Sequence, residues 1–223
     1  EYSVLDLCAF KTSGASDEFV LKPRGSSVFI KDETAAPAVY SETVENVTEK
    51  FKVAGITDNY FVLDNAKLSK DGGAYTKIRP IQSLFDELLR EDYKGEIRVA
   101  FAFFCNDKLL LSLSMEKMKY KKVTVNGESV CLKQSGFDVN FTECNISEHL
   151  KIGENVVEYT VDYEQHDGVR FALFDPLATE SLRNCLYYDV SLEPIYLKGD
   201  FIVNKDGALE KRSALPPVTS ALN

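Results

Sequence analysis

The chain has 223 residues, with 26 Lys+Arg against 35 Asp+Glu, a formal net charge of −9 at pH 7, 44% hydrophobic residues and no tryptophan. It is long enough to bury a core without disulfide or metal staples, and its acidic balance argues against partners such as nucleic-acid phosphates or anionic lipid surfaces. No apolar run reaches the roughly 18 residues a membrane helix needs; the longest, Val99–Cys105, runs straight into Asn106, Asp107 and Lys108.

Residues 1–33 read as short strands and turns. Tyr2–Phe10 is apolar-rich, Thr12–Asp17 is a turn cluster, Phe19–Pro23 is extended and Ser27–Ile30 is a further strand. Three such strands are marginal alone, so they must lean on something upstream or on the body of the chain; the expectation is that they are the last strands of a preceding β domain. Glu1, Asp6 and Lys11 break up any signal peptide. A chain that starts at Glu1, within a strand, reads as a piece of a longer protein. Residues 34–50, with Ala35-Ala-Pro37 and alternating acids, form a connection.

A β-rich body begins at Phe51. Tyr60–Leu63 is a compact apolar strand, Lys70–Gly73 a turn and Ala74–Arg79 a strand. Pro80–Arg90 is the one persuasive helix. Ile81, Leu84, Phe85, Leu88 and Leu89 fall on one stripe, and Pro80 suits the first turn. The stripe predicts a helix that plugs the end of a sheet.

Strands then follow in close order: Glu96–Cys105, Leu109–Ser114, Lys122–Val125, Ser129–Lys133, Phe137–Phe141, Val156–Tyr163, Val169–Phe174, Leu186–Leu192, Pro194–Leu197 and Asp200–Val203. Turn formers separate them, and Asn126-Gly127 is the sharpest hairpin signal. Short strands at about 8–12 residue spacing predict a β-sandwich or jelly roll. From Gly207, with Leu215-Pro-Pro217 near its end, the chain reads as a tail, so that 204–223 is a tail or the start of a next domain.

Several chemistries lack their residues. There is no GxGxxG after a strand, no GxxxxGK[ST], no GxSxG and no HExxH. The five cysteines, Cys8, Cys105, Cys131, Cys144 and Cys185, are odd in number and show no CxxC spacing, which predicts free thiols and a reducing, cytoplasmic compartment. His149 and His166 are expected on loops or the surface, so no metal set is assigned. The sequons at Asn46, Asn140 and Asn145 then read as chance.

Glycoside hydrolysis needs two carboxylates about 5 to 10 Å apart. Glu193, Asp200, Asp162 and Glu164 are candidates for that pair but are better explained as solvated strand or turn residues. Tyr40, Tyr75, Tyr163, Tyr187, Tyr188 and Tyr196 sit where an aromatic is more often core or interface than a sugar platform. No catalytic, cofactor-binding or metal-binding residue is assigned, and the residues of any substrate site stay open.

Three segments carry a resemblance: Val123-Thr-Val-Asn-Gly127, Asp138–Glu143, and Ile146–Val157 with its Gly153-Glu-Asn155. Together they resemble the sugar-binding-type, galactose-binding-like jelly roll of family 2 and related glycoside hydrolases. Asn59–Asp64, Leu68–Gly72 and Leu192–Phe201 look like the larger bacterial multidomain enzymes of that kind, including rhamnosidase-like ones. Leu21–Phe29 is similar to the strand pair that ends the preceding domain there. The likeness covers about residues 51–203. In such enzymes the acid and nucleophile lie on a separate catalytic domain, so no catalytic residue carries over. Asn126, Gly127, Gly153 and Asn155 are structural residues that suit tight turns.

The expectation is therefore an all-β jelly-roll sandwich over 51–203 with one short packing helix. The resemblance implies a non-catalytic accessory domain of a larger carbohydrate-active enzyme. Its partners would be the catalytic domain of the same parent chain and a carbohydrate, without nucleic acid, membrane or cofactor. The rivals are an independent carbohydrate-binding module, a self-contained hydrolase with paired acids, and an interaction domain with no sugar contact.

Overall fold

In the computed structural model, residues 53–136 and 138–215 are described with their side chains, and three earlier strands by their backbone alone. The chain divides into two units, Glu1–Lys52 and Val53–Asn223. In the first unit β1 (Tyr2–Asp6), β2 (Ala9–Ser13) and β3 (Val28–Lys31) form an antiparallel sheet in the order β2-β1-β3. The expected segment Phe19–Pro23, the 34–50 connection, Cys8, Tyr40 and Asn46 lie outside the described residues.

The second unit is a sandwich of two sheets. Its strands and first helix are β4 (Asn59–Leu63), β5 (Asn65–Lys70), β6 (Arg79–Pro80), α1 (Ile81–Glu91), β7 (Gly95–Cys105) and β8 (Leu111–Glu116). There follow β9 (Lys122–Val125), β10 (Glu128–Ser129), β11 (Lys133–Gln134), β12 (Phe141–Asn145) and β13 (Gly153–Tyr163). The chain then runs through α2 (Asp167–Phe174), α3 (Glu180–Asn184), β14 (Ile195–Gly199), β15 (Phe201–Val203) and β16 (Leu209–Lys211).

Strict alternation builds the spine of the first sheet. Ile97, Val99, Phe101, Phe103 and Cys105 of β7 and Val157, Tyr159, Val161 and Tyr163 of β13 are buried, each two residues from the next. The two strands pair antiparallel over their whole length, from Gly153 opposite Cys105 to Tyr163 opposite Gly95. β9 and β10 extend the sheet beyond β13, while β5, β16 and β15 complete it on the β7 side. The second sheet runs β11-β12-β8-β14-β4, every pair antiparallel. Leu111, Leu113, Met115, Ile195 and Leu197 face inward from it to close the core.

α1 forms as the apolar stripe predicts. Ile81, Leu84, Phe85 and Leu88 are buried, each worth about 1.5–3 kcal/mol of burial. Pro80 stands at the cap and Asp92 ends the helix in the left-handed region, at φ 50°. Phe85 meets Tyr163 and Tyr188 edge-on at 6.4 and 5.0 Å.

The hairpin signal also forms as expected. Asn126 and Gly127 take φ of 52° and 88°, the two left-handed residues of a turn that matches strand twist, and β10 returns along β9. Asn155 is fully buried on β13 and reaches back to this turn. Asn126 Nδ2 donates to Asn155 Oδ1 at 2.9 Å and to the His149 carbonyl at 2.8 Å. Asn155 also takes Lys151 N–H at 2.9 Å and donates to the carbonyls of Lys151 and Gly153 at 2.8 and 3.0 Å. The two halves of the sequence resemblance thus meet in one hydrogen-bonded lock.

Several expectations change. Ala74–Arg79 is not a strand: only Arg79 enters one, in β6, and 74–78 form a loop. Ser129–Lys133 is interrupted, its ends falling in β10 and β11. Among the described residues the single helix becomes three. Val169–Phe174 belongs to α2 rather than to a strand, because Val169 and Ala172, three residues apart, are its buried residues while Phe171 and Phe174 face outward. Asp167 in the first turn suits the helix N-terminus. Leu186–Leu192 is not a strand; the buried side chain of Gln165 holds it, accepting from Asp189 N–H at 2.9 Å and donating to the Val190 carbonyl.

The remaining two concern register and the C-terminal stretch. Pairing with β8 begins only at Phe141, because Gln134 Nε2 donates to the carbonyls of Asp138, Val139 and Phe141 at 3.1, 3.0 and 3.0 Å and holds 138–140 as a turn. Leu209–Lys211, expected in a tail, is a strand between β15 and β7 with Leu209 fully buried. Among the described residues no helix is long and apolar enough to cross a membrane.

Candidate functional site

The alternation that buries one side of the second sheet turns the other side outward. Leu113 and Met115 point into the core, so Ser114 and Glu116 point out; Ile195 and Leu197 point in, so Tyr196 points out. Register lines these residues up. Tyr196 pairs with Val62 on one side and Ser114 on the other, and Ser114 pairs with Glu143. The result is a row across four strands, Val62–Tyr196–Ser114–Glu143, floored by backbone and flanked by Tyr60 and Phe141.

This row lines a cavity of about 300 Å³. Tyr60 and Val62 keep 46% and 47% of their surface in solvent. Phe141 and Tyr196 stand edge to face at 5.8 Å and 62°. Asp138 and Glu143 supply the charge. Ser135 Oγ donates to Glu143 at 2.9 Å, and Asn140 N–H to Asp138 at 2.8 Å. The turn bearing Asp138 is braced a second time by Lys117 N–H on the Asn140 carbonyl at 2.7 Å. The wall of the cavity is therefore held before any ligand arrives.

A larger cavity of about 690 Å³ lies beside it. Glu116 lines the larger cavity and is the register partner of Phe141, which lines the smaller. Tyr120 and Tyr159 form one wall, their rings 5.2 Å apart, with Tyr120 Oη donating to the Glu116 carbonyl at 2.8 Å. The loop Tyr188–Glu193 forms another, tied to α1 by Gln82 Nε2 on the Leu192 carbonyl at 3.3 Å. Partial burial, then the neighbouring Glu193 and Asp138 carboxylates, hold the Glu116 carboxyl above its ordinary value. Burial pushes the Tyr159 phenol well up.

The acids weighed from sequence scatter. Glu193 and Asp162 both line the larger cavity, but Asp162 is bound by Lys121 at 2.8 Å. Asp200 pairs with Arg212 at 2.7 Å and Glu164 with Lys94 at 3.1 Å, both on the surface. Of the tyrosines, Tyr163 is core, and Tyr75 lies against Glu158 beneath the Arg98 guanidinium. Tyr187 stacks on His166 at 4.6 Å, and Tyr188 lines the larger cavity. Tyr196 alone joins the smaller cavity.

Tyr60, Phe141, Glu143 and Glu116 were not singled out from sequence. Reading Tyr60–Leu63 by alternation rather than as an apolar block separates Tyr60 and Val62 from the inward Leu63 and would have exposed two of the wall residues. His149 is half-buried on Glu128 at 2.8 Å. Four cysteines are described and free: Cys105, Cys131, Cys144 and Cys185. Among the described residues no three His, Cys, Asp or Glu side chains group as metal ligands.

No family model matches this sequence, and no curated protein does. Solved structures are similar in part. A β-D-glucuronidase from Dictyoglomus thermophilum is 16% identical at a TM-score of 0.43, over 69% of this chain and 30% of that one. A β-glucuronidase from Ruminococcus gnavus is 16% identical at 0.43, over 67% and 30%. A β-D-mannosidase from Dictyoglomus thermophilum is 11% identical at 0.41, over 63% and 22%. The matched part thus spans less than a third of each of those chains.

Proposed function

We propose that this chain is a non-catalytic, galactose-binding-like jelly-roll domain of a larger carbohydrate-active enzyme. It packs on the catalytic domain of the same parent chain and offers the outer face of its second sheet to a glycan. The observation that carries the reading is the chemistry of that face. Tyr60, Phe141 and Tyr196 give aromatic surface, while Ser114, Asp138 and Glu143 place oxygen acceptors beside it. A pyranose has the matching duality, with C–H faces that pack on rings and hydroxyl edges that seek acceptors. The sequence resemblance supports the same class independently.

The test is affinity electrophoresis of the 223-residue chain in gels containing soluble polysaccharides, beside Tyr196→Ala. Retardation of the parent chain in at least one gel, lost in the variant with an unchanged melting temperature, is the expected result. Equal mobility of the two in every gel refutes the glycan contact. A parallel panel of nitrophenyl α- and β-glycosides should give no turnover. Turnover abolished by one Asp→Asn or Glu→Gln change would instead establish a hydrolase.

A further inference from the structure

Some acids of the sandwich are neutralised in place: Glu87, Glu91, Asp86, Glu96, Asp162, Glu164 and Asp200 each hold a lysine or arginine within 3.1 Å. The acids around the smaller cavity are not among them. Asp138 and Glu143 line it, and Glu116 and Glu193 stand at its border with the larger one. Among the described residues none of these four has an ion-pair partner. Their charges are felt locally, since Glu193 and Asp138 both act on the Glu116 carboxyl.

The cations closest to this face do not neutralise it. Lys198 Nζ lies over the Tyr60 ring at 5.9 Å, and Lys117 Nζ is on Gln134 Oε1 at 3.4 Å. Lys133 is opposite Glu143 in register but forms no ion pair with it. Two carboxylates without an ion-pair partner among the described residues therefore line the aromatic cavity, and two more line the larger cavity beside it. A negative field beside ring faces attracts an organic cation twice over, through Coulomb attraction and through the ring quadrupole.

Resting on the glycan reading above, we propose that the outer-face cavity selects a pyranose carrying a free, protonated amine, and excludes uronic acids. A glucosamine-type residue can stack its C–H face on Tyr196 or Tyr60 while its ammonium faces Glu143 and Asp138. An N-acetyl group removes that charge, and a carboxylate reverses it. Each partly exposed ammonium–carboxylate pair contributes modestly, so two together are expected to favour the free amine about tenfold over a neutral sugar. The carboxylate of a uronate meets the same field with the opposite sign.

The experiment is titration calorimetry of the 223-residue chain at pH 6 and low salt with four trisaccharides. They are the β-1,4 trimers of glucosamine, N-acetylglucosamine and glucose, and trigalacturonate. The glucosamine trimer should bind about tenfold tighter than the two neutral trimers, and trigalacturonate should show no heat. Added salt should erode the preference. Glu143→Gln and Asp138→Asn, made separately, should each reduce it; because both carboxylates also accept from the hydroxyls of neutral sugars, the readout is the ratio of the glucosamine-trimer to the glucose-trimer affinity. The melting temperature of each variant shows that it is folded.

Neutral or acidic trimers that bind as tightly as the glucosamine trimer overturn the selectivity and leave glycan binding standing. So does a preference that neither variant alters. A chain that binds none of the four but is retarded in a polysaccharide gel overturns this inference alone; one that does neither overturns the glycan reading as well.

Discussion

On the outer face of the first sheet, Tyr75 lies over β13 and β7, hydrogen-bonded to Glu158 and 5.3 Å beneath the Arg98 guanidinium. Arg98 reaches Ser69 Oγ at 3.1 Å, and Ser69 reaches the Gly73 carbonyl at 2.7 Å. Ser69, Ala100 and Thr124 are buried there although they point away from the core. On the outer face of the second sheet, Tyr60 and Val62 remain nearly half exposed, and among the described residues the carboxylates lining the cavity beside them form no ion pair. Both faces arise from the same alternation. The first is small and polar and is covered by the 71–78 loop of its own chain. The second is aromatic and acidic, and its groups are left to find partners from elsewhere. A polar face covered by its own chain contributes to stability, whereas an aromatic face left open is free to bind.

The contrast can be broken by substitution, and the interior that both faces share sets the scale. Leu88→Asp buries an unpaired charge and is expected to cost about 4 kcal/mol or more, against a domain stability of about 5–15 kcal/mol. An unchanged melting temperature would place that stripe of α1 in solvent. Asn155→Ala comes next. It strips the acceptor from Lys151 N–H and Asn126 together, for an expected loss of about 3 kcal/mol in urea unfolding.

On the covered face, Glu158→Ala removes the partner of Tyr75 and is expected to cost about 1–2 kcal/mol. It should also speed amide exchange at Thr76, whose N–H donates to the Leu68 carbonyl at 2.8 Å. On the open face, Tyr196→Ala should cost under about 1 kcal/mol while abolishing glycan retardation. If Tyr196→Ala proved the more destabilising of the two, the assignment of one face to stability and the other to binding would fall.

A last test is a pH dependence. Burial pushes the Cys105 thiol up from 9.0 to about 11, and burial followed by nearby Cys131 does the same for Cys144. A pKa raised in the folded state means that the folded protein holds the proton more tightly. The resulting stability is complete below about pH 9 and is lost as pH rises towards 11. Urea unfolding at pH 8 and 10.5 should show the decline, and Cys105→Ala should reduce it. At pH 8 an alkylating reagent should label the exposed Cys131 and Cys185 well before Cys105, as read by peptide mass spectrometry.

What the sequence determined by itself was local. The stripe Ile81, Leu84, Phe85 and Leu88 could bury itself only as a helix, and Asn126-Gly127 could close only a tight hairpin, because both signals are complete within a few residues. The long alternating runs of β7 and β13 marked an all-β sandwich for the same reason. Tertiary structure decided the rest. Val169–Phe174 became helical and Leu186–Leu192 stayed irregular because Gln165 and the α1 end of the core, distant in sequence, supply their partners.

The candidate site belongs to that second class. Val62, Ser114, Glu143 and Tyr196 come from four strands, and no short window contains two of them. Register alone makes them neighbours, and whether an outward aromatic is covered or open depends on which loop lies across it. Tyr75 and Tyr196 read alike in the sequence. The fold ties one to Glu158 beneath the Arg98 guanidinium and leaves the other lining a cavity, because a side chain's neighbours are a property of the assembled sheets and not of either residue.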